Sequence, residues 1–250
     1  MQTNLPLTRL QRFGLLLIVA LGCGLRFGGL NHDLHEGQIY HPDTPKQIRA
    51  VERFLDGNYY FHVGNLDYDI YPYFNSHLVE YLCRAGDALH GGLQALTGAP
   101  VTTWRPDYYQ LFWIMRVWNA LLATLLILVV FQLARENWDR RAAWAAALLF
   151  AVSPADVVAC HFAGADTTAG FLATLTVFFA LRIYRLGRAR DYICAALCAA
   201  CGFSSKYHAG MVLLPVLASG SEEKTFGPEC RKNLLSPACH APVGVTMMMP

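Results

Sequence analysis

Apolar runs long enough to cross a bilayer recur along the chain, separated by short charged turns and one long polar stretch. Residues 10–30, LQRFGLLLIVALGCGLRFGGL, form the first. At about 1.5 Å per residue, a helix of that length covers a hydrocarbon core of roughly 30 Å. Arg12 and Arg26 stand near its ends, where long cations snorkel to headgroups. A cleaved signal peptide competes with this reading, with Arg9 and Arg12 as its basic region. Later spans, and the lack of a clean small-x-small site before the next charges, favour a retained helix. Residues 110–134 are the clearest span. A third run covers 142–160 with Ser153-Pro154 in its second half, and a fourth covers about 168–184, closed by Arg182, Arg185, Arg188 and Arg190. A fifth, 192–218, is interrupted at Ser204-Ser205-Lys206, which predicts one broken helix or two short ones. The pattern predicts an all-α polytopic membrane protein, with a membrane domain over 10–218 behind a short cytoplasmic segment, 1–9.

Between the first two spans lies a long polar loop, 31–109, with ten Asp and Glu against five Lys and Arg. Within it Ile48, Val51, Phe54 and Leu55 recur at helical spacing, which predicts a short helix lying flat on the membrane. His77 to Leu96 carries a second helical pattern. From 219 to 250 periodicity stops, and the stretch reads as a disordered tail or a truncated end.

Charge then orients the spans. If they alternate, Arg9 and Arg12, the 135–141 turn with Arg135, Arg140 and Arg141, and the 182–190 turn all fall on one side. The link 161–167, which has no Lys or Arg, falls on the other. The amino terminus is therefore expected in the cytoplasm, with the 31–109 loop and the 161–167 link sharing the lumenal or periplasmic face. Composition agrees with a membrane setting: 54% of residues are hydrophobic and 15% charged, against about 25% charged in soluble domains. A formal net charge of +2 and the lack of a dense Lys/Arg block exclude a nucleic-acid partner. Five of eight cysteines lie in or beside apolar runs; Cys194, Cys198 and Cys201 share one helical face without His or carboxylate, as ordinary packing.

This topology delivers chemistry to one face. The stretch 31–45, NHDLHEGQIYHPDTP, is dense in His and carboxylate, and Asp43 stands where it can take a proton from an acceptor arriving from the aqueous side. Its plainer role is to cap the helix beginning near Thr44-Pro45. Arg116, inside the outer end of the second span, calls for an anionic partner, either a protein carboxylate or a lipid phosphate, or else snorkels. His161 and Asp166 sit between the third and fourth spans, where Asp166 is also a candidate N-cap, and Lys206 lies near the outer end of the fifth. His32, His35, Glu36, His41 and Asp43 suit a divalent cation in type, but their spacing assigns no site, and solvated loop histidines are commoner. No Gly-rich phosphate loop or Ser-His-Asp order is present to handle a soluble nucleotide donor.

Taken in order, these residues resemble a known family. One amino-terminal span, then Tyr40-His41-Pro42-Asp43-Thr44-Pro45-Lys46-Gln47, then Tyr71-Pro72-Tyr73-Phe74, is similar to the first lumenal loop of GT-C glycosyltransferases. The branch is that of the protein mannosyltransferases and aminoarabinose transferases (glycosyltransferase family 39). Met115-Arg116-Val117, Ser153-Pro154 with His161 and Asp166 beyond it, and Ser205-Lys206-Tyr207 extend the likeness over about 10–218. The resemblance implies a GT-C-like helix bundle whose first extracytoplasmic loop carries short surface helices. It also implies an inverting transferase that moves a sugar from a polyprenyl-phosphate donor to a protein or lipid acceptor in a plasma, inner or endoplasmic-reticulum membrane. Asp43 would then be the general base, Arg116 and Lys206 would hold the donor phosphate, and His41, His161 and Asp166 would be secondary site residues. Thr44 stands where the family often has a second acid, and the family's members are longer, so the chain is read as an amino-terminal part. A transporter fragment and an inactive structural subunit are the alternatives.

Overall fold

A computed structural model describes residues 6–32, 43–59 and 73–218. Among the described residues eight α-helices follow in order: α1 Arg9–Phe27, α2 Thr44–Leu55, α3 Phe74–Thr97, α4 Tyr108–Asn137, α5 Arg140–Ala151, α6 Pro154–Cys160, α7 Asp166–Leu186 and α8 Ala189–Ser205. A 3-10 turn, Tyr207–Val212, then continues helically to Ala218. No strand occurs among the described residues.

Local sequence sets the ends. Thr8 with Gln11 and Asp107 with Gln110 form reciprocal capping boxes that satisfy the first amides of α1 and α4. Gly98 and Gly187 close α3 and α7 in the left-handed conformation, at φ 71° and 58°, where a Cβ would be strained.

Helices α1, α4 and α7 are each long and apolar enough to span a membrane, and the chain is an all-α polytopic membrane protein. The expected 142–160 run is two helices, α5 and α6, bent by 50° at the Ser153-Pro154 step. Proline lacks the amide that would continue α5 and starts α6 instead, in the first helical position where no donor is needed. The 192–218 run breaks at Lys206, whose extended backbone, φ −156° and ψ 121°, separates α8 from the 3-10 turn.

Helix α4 is the axis of the bundle: half of its apolar window, 50%, is buried, against 11% for α1. Its C-terminal half sets Ile127, Phe131 and Ala134 against Ala143, Ala147 and Ala151 of α5 and Leu15, Ile18 and Val19 of α1. The alanines recur every four residues, and their small side chains let the helix backbones approach closely, as lipid-embedded helices need. Its N-terminal end packs Leu111, Phe112 and Met115 on Ile48 and Val51 of α2, Val79 and Cys83 of α3, and Ala163 of the 161–165 link. Helix α2 thus departs from the flat, lipid-facing placement: Ile48 and Val51 are wholly buried against protein. Outward leucines on α1, among them Leu16, Leu17 and Leu21, suit a lipid solvent instead.

At the opposite end Arg182 pairs with Asp191 (3.2 Å) and Glu136 (3.4 Å), and Arg185 donates to the Glu136 carbonyl. Two of the four arginines expected in that turn are therefore folded back onto the protein.

Gly22 lies at a tight approach of α1 to α4 and α5. A Cβ there would fall 2.4 Å from Ile127 Cδ1 and 3.3 Å from Ala151 Cβ. Gly22→Val is expected to destabilise the bundle by about 1–3 kcal/mol through overpacking, read as a lower Tm of the detergent-solubilised protein; an unchanged Tm contradicts this packing.

Candidate functional site

Three helices and the links between them meet where α1 ends. Arg116, on α4, donates from Nη1 to the carbonyls of Leu30 (2.7 Å) and His32 (2.8 Å), and its guanidinium lies 4.3 Å from the centre of the Phe112 ring. It is buried, so snorkelling does not describe it. His161, at the end of α6, faces the Val157 carbonyl through Nδ1 (2.6 Å) and the Gly28 carbonyl through Nε2 (2.9 Å). Both residues thereby hold the backbone that leaves α1 and leads toward Asp43.

The link from α6 to α7 is fixed from α4. Asn119 donates through Nδ2 to the carbonyls of Phe162 (2.7 Å) and Gly164 (3.0 Å). Trp118 Nε1 donates to Thr168 Oγ1 (3.2 Å), which donates in turn to Asn75 Oδ1 (2.6 Å), so α4, α7 and α3 share one polar chain. Asp166 is the first residue of α7, not its cap, and its side chain forms an ion pair with Lys206. Lys206 is mostly covered while Asp166 is half exposed. The break after α8 thus brings together two residues forty positions apart.

Asp43 precedes α2, whose Pro45 lies in the first turn, but the Asp43 side chain makes no cap hydrogen bond. Its backbone carbonyl accepts from Gln47 instead (3.1 Å). Ser76 Oγ donates to Gln47 Oε1 (2.6 Å), fastening the start of α3 to α2. Further along α3, Glu80 is buried and accepts from Tyr59 (2.6 Å) and Arg84 Nε (2.9 Å) and meets His77 Nδ1 (3.0 Å). The His77 ring stacks on Phe54 at 4.0 Å. Burial works to raise the Glu80 carboxyl, but the hydrogen bonds from Tyr59, His77 and Arg84 outweigh it and hold it below its ordinary value.

Of the sequence-predicted residues, then, Asp166 and Lys206 touch. Arg116 and His161 grip neighbouring parts of the same backbone, and Asp43 heads a helix whose apolar face packs beside Arg116. His35, Glu36 and His41 lie outside the described residues. Among the described residues no group of three or more His, Cys, Asp or Glu is placed to hold a metal ion.

Two charges escaped the sequence reading. Arg26, expected to snorkel, is fully buried. It bonds Asp156 through Nε (3.0 Å) and Nη2, and donates to the carbonyls of Ala151 (2.8 Å), Phe150 (3.0 Å) and Gly22 (3.0 Å). The available signal was an opposite charge in each of two apolar runs, since an intramembrane ion needs a partner.

A family model described as dolichyl-phosphate-mannose-protein mannosyltransferase matches residues 109–248, more than half of the chain. The match takes in Arg116, His161, Asp166 and Lys206, begins beyond Asp43 and its loop, and runs on into the stretch 219–248 that the sequence reading sets apart. No curated protein and no solved structure gives a match.

The lowered Glu80 carboxyl fixes a pH dependence. Ionised Glu80 stabilises the α2–α3 unit at neutral pH, and that contribution is lost as pH falls below the ordinary carboxylate range, about 4.3, toward the lower native value. Glu80→Gln is expected to cost about 1–3 kcal/mol at pH 7 and to flatten the acid limb. Hydrogen exchange of the α3 amides against pH measures both, and an acid limb unchanged in the variant contradicts the assignment.

Proposed function

Because the chain belongs to the dolichyl-phosphate-mannose-protein mannosyltransferase family, we propose that it moves a sugar from a polyprenyl-phosphate donor to an acceptor hydroxyl at the non-cytoplasmic membrane face. The observation that carries the reading is the Asp166–Lys206 pair beside the link held by Asn119, all inside the matched region. An ammonium held at the end of a broken helix by a half-exposed carboxylate is a cation that an incoming phosphate can engage, with Asp166 as the anion it displaces.

In this reading the acceptor oxygen attacks the anomeric carbon as the bond from that carbon to the phosphate oxygen breaks, which inverts the centre. Asp43 takes the proton that leaves the acceptor hydroxyl, and the electron pair of the broken bond goes to the departing polyprenyl phosphate. Lys206 and Arg116 offset the charge growing on that phosphate, which is where fixed positive groups accelerate most. Arg116 has a second task, since its bonds to Leu30 and His32 set where the loop carrying Asp43 begins. His161 and Asp166 shape the site, and His41 is a secondary residue of the loop. The amino terminus lies in the cytoplasm, and the 31–109 loop and the 161–167 link share the opposite face.

The test is transfer of labelled sugar from a polyprenyl-phosphate donor into membrane acceptors. Asp43→Asn, inserted in the membrane at the level of the parent chain, is expected to lose on the order of 10²–10⁴ in rate. Parental activity in that variant overturns the assignment of the base. No turnover by the parent chain, with tight association with a longer relative, makes it a structural subunit.

A further inference from the structure

The Arg26–Asp156 contact sits at the bend between α5 and α6. At the α5–α6 break Ser153 and Pro154 end the regular ladder, and carbonyls at the end of α5 lose helical partners at membrane depth, where each needs a donor. Arg26 reaches in from α1 and donates to the carbonyl of Ala151 and, beside the turn bond from the Ser153 amide, to that of Phe150, while Asp156 on the far side of the break holds the other edge of the guanidinium. One planar fork thus joins α1, α5 and α6, a task that a lysine's point charge cannot reproduce.

We infer that Arg26 and Asp156 are positioning residues: their clasp fixes the direction of α6 and, through it, the 161–166 link at the candidate site. The path is continuous. Two residues beyond Arg26, the Gly28 carbonyl meets His161 at the end of α6; next comes the link held by Asn119, and then Asp166 on Lys206. Neither residue of the clasp takes part in the proposed chemistry. It acts by holding parts of the site that come from separate helices, and a misplacement of about 1 Å costs roughly 10²-fold in rate.

The catalytic half of this inference rests on the transferase reading, so its test has one arm that needs no activity. Cys160, wholly buried in α6, lies beside the Arg26 carbonyl and reports whether α6 stays in place. Alkylation of Cys160 by a maleimide in the detergent-solubilised full chain, resolved by mass spectrometry and referred to Cys83, is compared in the parent, Arg26→Lys, Asp156→Asn and the double variant Arg26→Met/Asp156→Leu. The double variant removes both charges together, so that loss of the clasp is read without an uncompensated buried charge.

The expected result is labelling at Cys160 at least about 10-fold faster in both single variants. In the transfer assay the expected result is a kcat lowered about 10- to 100-fold with donor KM within about 3-fold in all three variants, because the donor-facing cations are untouched. Protection of Cys160 in both single variants overturns the clasp. Exposure of Cys160 with parental kcat, or a folded double variant with parental kcat, overturns the positioning role. If the parent chain transfers no sugar, the transferase reading fails separately, and the labelling of Cys160 alone decides whether the clasp holds α6.

Discussion

Backbone carbonyls at bilayer depth must find donors inside the protein, and that constraint organises this chain more than any other. Several departures from regular helix at the end of the bundle where α1 stops are met by a side chain from another helix. Arg26 takes the carbonyls at the end of α5, Asn119 those of the link after α6, Arg116 those beyond α1, and His161 that of Gly28. Breaks in a membrane bundle are costly, and here they are concentrated at one end and sealed by polar groups. Such an end is where a membrane protein places chemistry, because polar groups and irregular backbone there shape a site instead of opening helices to lipid.

The same donors tie the candidate residues to one another. Arg116 connects the axis helix α4 to the start of the Asp43 loop, while α2 is packed on α4 by Ile48 and Val51 beside Met115. Asn119, one residue further along α4 than Trp118, serves the link, and Trp118 reaches α7 and α3 through Thr168 and Asn75. Helix α4 therefore supplies three positions within one turn, 116, 118 and 119, to three parts of the polar end. The opposite end is built differently, from Arg182 with Glu136 and Asp191 and from apolar packing of alanine rows.

The long, uniform features were legible in the sequence. An apolar run such as 110–134 admits one structure at membrane depth, and helix α4, Tyr108–Asn137, contains it. The 142–160 run reads as one span, although Ser153-Pro154 is visible in it, and the structure divides it there into two helices bent by 50°. Contacts between distant residues were not legible. Nothing near Lys206 announces Asp166, and Arg26 read as a terminal cation because its partner lies 130 residues away. The amphipathic pattern of α2 is equally compatible with lipid or protein on its apolar side, and tertiary packing against Leu111 and Phe112 decided it. The Asp43 loop stands apart: its motif carried the resemblance, yet the family match begins at 109.

The central claim is that the sealed, polar end of the bundle faces away from the cytoplasm, with the long loop and the Lys206 break on that one side. It is tested most directly by thiol accessibility in sealed vesicles of known orientation, in a background with its eight cysteines replaced. Single cysteines are placed at the exposed positions Thr97 and Tyr207, and at Trp138 and Arg188 in the inner turns. The account predicts that a membrane-impermeant maleimide labels 97 and 207 from the non-cytoplasmic side, and 138 and 188 only after permeabilisation. Labelling of 97 and 207 from opposite sides, or of 138 and 207 from the same side, would contradict it.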